Sequence, residues 1–226
     1  MHVLMVAMLL SAGPGAPKPG TYVFEGGAGT LVLAKGTFSI EVVGANAHTC
    51  QLGGSWTGAT GLASEEGERC VLSFAAKDGE VSVSSTGESC RSYCGARASF
   101  DGRYLTPPKG CAAPEAKKAR AAFKAAYEKK QFPAAVALLQ PLLETCTPVL
   151  DRFEVMWIRN DLALAQHRAG DDQACLSTLE PLAEYRDAPP GEPLGYEPSF
   201  ADELARIAKA TRTNAKLCGF VPRVAK

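Results

Sequence analysis

Acid–base or metal chemistry needs histidines, cysteines or carboxylates at relay or ligand spacing, and this 226-residue chain offers few so placed. His167 lies in a helical stretch with no second histidine or cysteine one turn away, so it reads as a surface histidine. His48, in Gly44-Ala-Asn-Ala-His-Thr-Cys50, falls in a polar turn. No G-x-S-x-G elbow, H-E-x-x-H pair or P-loop is present. Glu25-Gly-Gly-Ala-Gly-Thr30 is glycine-rich, yet neither Lys-Ser/Thr nor a helix follows it, which makes it a hairpin turn. Glu65, Glu66 and Glu68 form an acidic turn of the solvated kind, and nothing selects a carboxylate pair for glycoside hydrolysis. The sequence therefore implies no catalytic residue, no cofactor and no metal. An envelope hydrolase with an unrecognised site is the enzymatic alternative.

The eight cysteines carry more information. A zinc site needs closely paired ligands, and the one close pair, Cys90 and Cys94, has three residues between its members. That spacing also departs from the C-x-x-C of thiol oxidoreductases. An even number of cysteines outside the first 16 residues points instead to disulfides in an oxidising compartment. Residues 3–12 agree, being an apolar run closed by Gly13-Pro14-Gly15. Ten such residues fall short of the roughly 20 needed to cross a bilayer but match the core of an export signal. The expectation is a signal peptide over 1–16, a periplasmic or secreted product and no membrane insertion after signal removal. Charge is balanced at 24 Lys+Arg against 24 Asp+Glu, and the halves split 8 to 9 and 16 to 15. This removes the electrostatic reason to expect nucleic acid or an anionic membrane as partner.

Two kinds of element must position these residues. From Gly20 to about Tyr104 the pattern is short and alternating: Thr21–Phe24, Thr30–Leu33, Thr37–Val43, Cys70–Phe74 and Val81–Ser84. Turns fall at Lys35-Gly36, Gly58-Ala-Thr-Gly61, Glu66-Gly67, Asp78-Gly79, Thr86-Gly87 and Asp101-Gly102. Such spacing predicts an antiparallel β-barrel or sandwich over 20–105. A Pro-rich linker over 106–113 follows, then Ala, Leu, Lys and Glu at helical spacing over 114–226. The expected helices are 115–130, 133–144, 150–169, one from Asp171 or Asp172 to about Tyr185, and a last one capped by Ser199. The fold class is α+β in two domains.

The helical half repeats itself. Residues 134–144 align without gaps on 174–184, an offset of 40, with Ala, Leu, Pro, Leu and Glu recurring at five positions. A two-helix unit of this length implies stacked hairpins. Tyr127, Phe132 and Ala135 in one unit, with Leu162-Ala-Leu-Ala165, Gly170-Asp171 and Ala174 in the other, resemble the tetratricopeptide-repeat superfamily. Both units are one residue short between turn and alanine, and Lys130 stands where the turn glycine belongs. The resemblance implies a helical scaffold that binds proteins or peptides, with the first helix of each unit lining the groove.

In an antiparallel hairpin the start of one helix meets the end of its partner, so Cys111 should reach Cys146, and Cys175 should reach Cys218. In the β half, neighbouring strand segments suggest Cys50 with Cys70, leaving Cys90 with Cys94. On the third helix Trp157, Asn160, Leu164 and His167 share a face. Under the resemblance Asn160 would hold a bound peptide backbone; alternatively Trp157 is core, and Arg159-Asn160-Asp161 make helix-to-helix hydrogen bonds. A second binding candidate is the loop bearing Arg91, Tyr93 and Arg97, residue types common at hot spots. A small exported β-barrel with such a loop is loosely similar to bacterial inhibitors of C-type lysozymes. The expected function is protein or peptide binding in the bacterial envelope, with inhibition of a cell-wall hydrolase as the alternative.

Overall fold

A computed structural model describes residues 15–44, 46–65, 67–189 and 198–221. The expected signal segment lies outside the described residues through position 14. Eight antiparallel strands form a closed barrel: β1 (Gly20–Phe24), β2 (Gly29–Leu33), β3 (Thr37–Val43), β4 (Thr49–Thr57), β5 (Thr60–Glu65), β6 (Glu68–Lys77), β7 (Glu80–Thr86) and β8 (Gly102–Leu105). Each strand pairs with the next, and β8 closes on β1 through Val23↔Leu105 and Phe24↔Tyr104. Closure leaves no unpaired edge along the meander. Alternation sets which side chains face inward: β3 buries Phe38, Ile40 and Val42, and β6 buries Cys70, Leu72 and Phe74. These fill the interior together with Leu31, Val81 and Tyr104. The Tyr104 hydroxyl donates to the Phe100 carbonyl at 2.8 Å, and burial pushes its pKa well above the usual phenol value.

Three strands depart from the sequence reading, and all three departures involve glycine. Gly58-Ala-Thr-Gly61 is not wholly a turn, because Thr57 pairs with Thr60 and Gly61 lies inside β5. A Cβ on Gly61 would stand 2.6 Å from the Phe74 ring, so the glycine makes room for that side chain in the barrel. Gly102 is likewise a residue of β8, not of a turn. In β4, Gly53 and Gly54 interrupt the apolar alternation that would otherwise have marked the strand. Asp78-Gly79 is the two-residue turn expected, with φ of 50° and 84° joining β6 to β7.

The helical part comprises α1 (Ala113–Glu128), α2 (Phe132–Pro141), α3 (Arg152–Arg168), α4 (Asp172–Leu179), α5 (Ala183–Asp187) and α6 (Ala201–Leu217). The 40-residue offset is visible in the helix bounds: α1 and α3 end at Glu128 and Arg168, and α2 and α4 begin at Phe132 and Asp172. Leu139 and Leu179 are matched and fully buried. The two Leu-x-Pro-Leu segments end both regular helices, because proline has no N–H to extend the ladder. A π turn over Leu142–Cys146 follows α2, and a 3-10 turn over Glu180–Leu182 follows α4. Asp151 and Asp171 cap α3 and α4, accepting from Phe153 N at 2.8 Å and Ala174 N at 2.9 Å. The expected cap of the last helix is corrected: α6 starts after Phe200, and the Ser199 hydroxyl points to Asn46 O at 3.4 Å.

Four disulfides cross-link the chain, as befits an oxidising compartment. Cys111–Cys146 and Cys175–Cys218 clasp the helices in the expected pairing. The β-half pairing is corrected to Cys50–Cys94 and Cys70–Cys90. Cys50 and Cys70 are not neighbours, since β5 runs between β4 and β6. A 3-10 helix over Glu88–Tyr93, where no helix was expected, carries Cys90 to β6 and lets Cys94 reach β4. The barrel meets the helices at the β1–β2 turn. There Gly26 N donates to Pro148 O at 2.8 Å, and a Cβ on Gly27 would lie 2.1 Å from Asp151 N. Val23 and Leu105 pack onto the helical core beside this contact. No helix among the described residues is long and apolar enough to cross a membrane.

Candidate functional site

Three consecutive residues at the centre of α3 reach three different helices, as the 100° step of an α-helix requires. Arg159 donates to Thr178 O of α4 at 3.2 Å, and burial lowers its pKa. Asn160, 2% exposed, donates through Nδ2 to Met156 O at 3.0 Å and to Thr211 Oγ1 of α6 at 3.1 Å. Its Oδ1 accepts from Asn214 Nδ2 at 3.1 Å. Asp161 points to α1, where its carboxylate lies 3.9 Å from Arg120 Nη2. Trp157 sits above Asn160 on the α6 side and donates Nε1 to Glu203 Oε1 at 2.6 Å.

The expected site on α3 is thereby largely closed. The Asn160 amide is buried under α6 with both donors and its oxygen engaged, so a peptide backbone cannot reach it in this structure. Trp157 is held by a carboxylate of the same helix α6. His167 turns to Asp172, with Nδ1 and Oδ1 2.6 Å apart. His167, Asp172 and Cys218 bring their ligand atoms within 4.8 Å of one another. The Cys218 sulfur is bonded to Cys175 and offers no thiolate, which leaves two ligands where zinc takes three or four.

The open surface lies one seam away, between α1 and α3. Shifting Trp157, Asn160, Leu164 and His167 back by the repeat offset of 40 gives Lys117, Arg120, Lys124 and Tyr127. These four line one wall of a groove of about 810 Å³ whose other wall is Glu154, Asp161 and Leu164. The offset was available in the sequence, and applying it to the α3 face would have found this wall. Arg120 holds both carboxylates, at 3.4 Å from Glu154 and 3.9 Å from Asp161. Burial raises the Asp161 pKa, and the neighbouring Arg120 charge only partly opposes the shift. The apolar lining includes the rings of Phe123 and Tyr127, 5.8 Å apart, and Tyr127 is braced from behind by Phe132 at 5.4 Å.

The second expected site is on the barrel. Arg91 and Arg97 are exposed, while Tyr93 is half-buried against the barrel core. The loop is tied at both ends of its short helix, by Cys70–Cys90 and Cys50–Cys94. A second loop braces it: Asn46 Nδ2 donates to Ala96 O at 2.9 Å, and His48 Nδ1 contacts the same carbonyl. His48 is exposed in this brace. Arg97 takes a left-handed conformation, φ 71°, at the tip.

These elements define a disulfide-linked closed β-barrel joined to a short array of helical hairpins. No family model matches the chain, and neither a curated protein nor a solved structure matches it.

Proposed function

We propose that this is a non-enzymatic, exported binding protein of the bacterial envelope that receives a protein or peptide segment in the α1–α3 groove. The tetratricopeptide-like arrangement belongs to this reading. The observation that carries it is the contrast at equivalent positions. Where α3 meets α6 the face is filled by Trp157, Asn160 and their partners, whereas the matching face of α1 lines an open groove. An aromatic wall beside charged groups suits recognition of an amphipathic segment. The test is selection from a phage-displayed library of 12-residue peptides on the oxidised full chain. Selected peptides should bind the Tyr127→Ala/Leu164→Ala variant about tenfold more weakly, as loss of an apolar anchor predicts. They should bind Arg91→Ala/Arg97→Ala unchanged. An empty selection, or equal binding to the groove variant, overturns the reading.

A second reading assigns inhibition of a cell-wall hydrolase to the barrel loop. Its support is the pair of disulfides and the Asn46–His48 brace, which fix Arg91 and Arg97 outward without further ordering on binding. Inhibition of lysozyme-driven wall lysis that is lost in Arg91→Ala/Arg97→Ala favours it. Full lysis in micromolar excess of the protein removes it.

A further inference from the structure

The charges in the α1–α3 groove do not balance where they are least hydrated. One guanidinium, Arg120, serves two carboxylates, Glu154 and Asp161. The side chains are 36%, 31% and 40% exposed, so all three stand partly out of water. The remaining cations of the lining are the more exposed ones: Lys117 is exposed, and Lys124 pairs with Glu128 at 3.9 Å in a well-hydrated pair. A counter-charge delivered to the floor gains more than one delivered to the hydrated rim, because Coulomb energy rises as the effective dielectric falls. The floor carries one negative charge in excess, beside the Tyr127 ring and Leu164. A tyrosine face adds attraction for a cation.

We infer that the groove selects peptide segments placing a Lys or Arg side chain beside Asp161, with an adjacent apolar side chain against Tyr127 and Leu164. The inference rests on the peptide-binding reading of this groove and gives its occupant a chemistry. Glu154 stays with Arg120, and Asp161, the more distant of the two carboxylates, takes the incoming cation. An acidic segment would bring like charge to the same floor and be rejected.

The experiment uses the oxidised full chain and a positional-scanning library of N-acetylated octapeptides, so that a terminal ammonium cannot supply the cation. Enrichment of Lys or Arg next to an apolar residue is expected. Changing that Lys or Arg to Gln in the best peptide should weaken binding about tenfold, the loss typical of one partly desolvated charge pair. Asp161→Asn should weaken the parent peptide by a similar factor and the Gln peptide hardly at all. The peptide-side substitution keeps the test independent of how the variant folds. If the enriched peptides are acidic or uncharged, or if Asp161→Asn leaves affinity unchanged, the cation inference falls while the peptide-binding reading stands. If no octapeptide binds, both fall.

Discussion

The α3–α6 seam and the α1–α3 seam are built from equivalent positions and end in opposite states. On α3 the positions hold Trp157 and Asn160, and α6 answers with Glu203, Thr211 and Asn214 to close the joint. On α1 the same positions hold Lys117 and Arg120, side chains too long and too charged to be buried between two helices. Exchanging short amides and an indole for guanidinium and ammonium groups turns a packed joint into a groove. One seam is thus packed shut while its neighbour stays open.

Asn160→Ala should show the largest difference between the seams. It leaves Thr211 and Asn214 without their buried partner, at a cost of about 2–3 kcal/mol; urea unfolding of the oxidised protein measures it. Arg120→Ala, on the open seam, should cost less than about 1 kcal/mol in the same assay, because its pairs are partly solvated.

The turns between hairpin helices offer a smaller test of the repeat. Lys130 and Gly170 occupy matched left-handed positions, φ 59° and 88°. Only the second has the residue that conformation favours, so Lys130→Gly should stabilise the protein by about 0.5–1 kcal/mol. Thermal unfolding should register a higher midpoint.

Asp161 gives the smallest effect on stability and the most informative sign. Burial raises its folded-state pKa, so between its ordinary value near 4 and the raised value the folded chain binds more protons than the unfolded chain. Its contribution therefore falls as the pH rises through that window. Asp161→Asn should match the wild type below about pH 3.5 and become the more stable protein by less than about 1 kcal/mol at neutrality.

Much of this fold was legible in the sequence. Period-two alternation located five of the eight strands, and the helical repeat gave the helices and both of their disulfides. The rest turned on contacts that single-residue signals do not carry. Gly61 and Gly102 look like turn residues but sit in strands, where a side chain would strike the Phe74 and Phe24 rings. The β-half disulfides differ from the expected pairing because β5, masked in the sequence by Gly61 in an apparent turn, separates Cys50 from Cys70. On α3 the residues expected on one face divide among neighbours: Trp157 and Asn160 meet α6, Leu164 lines the α1–α3 groove, and His167 meets Asp172. That α6 covers Trp157 and Asn160 is a long-range contact that no local pattern specifies. The α1 wall follows from the repeat offset applied to the α3 face.

Hydrogen exchange on the oxidised full chain, with and without a peptide selected on it, tests the division between a closed and an open seam most directly. Slowed exchange is expected in α1 between Lys117 and Glu128 and in α3 between Glu154 and Leu164, with the barrel loop at 88–98 and α6 unchanged. Protection confined to 88–98, or to the α3–α6 seam, would contradict it.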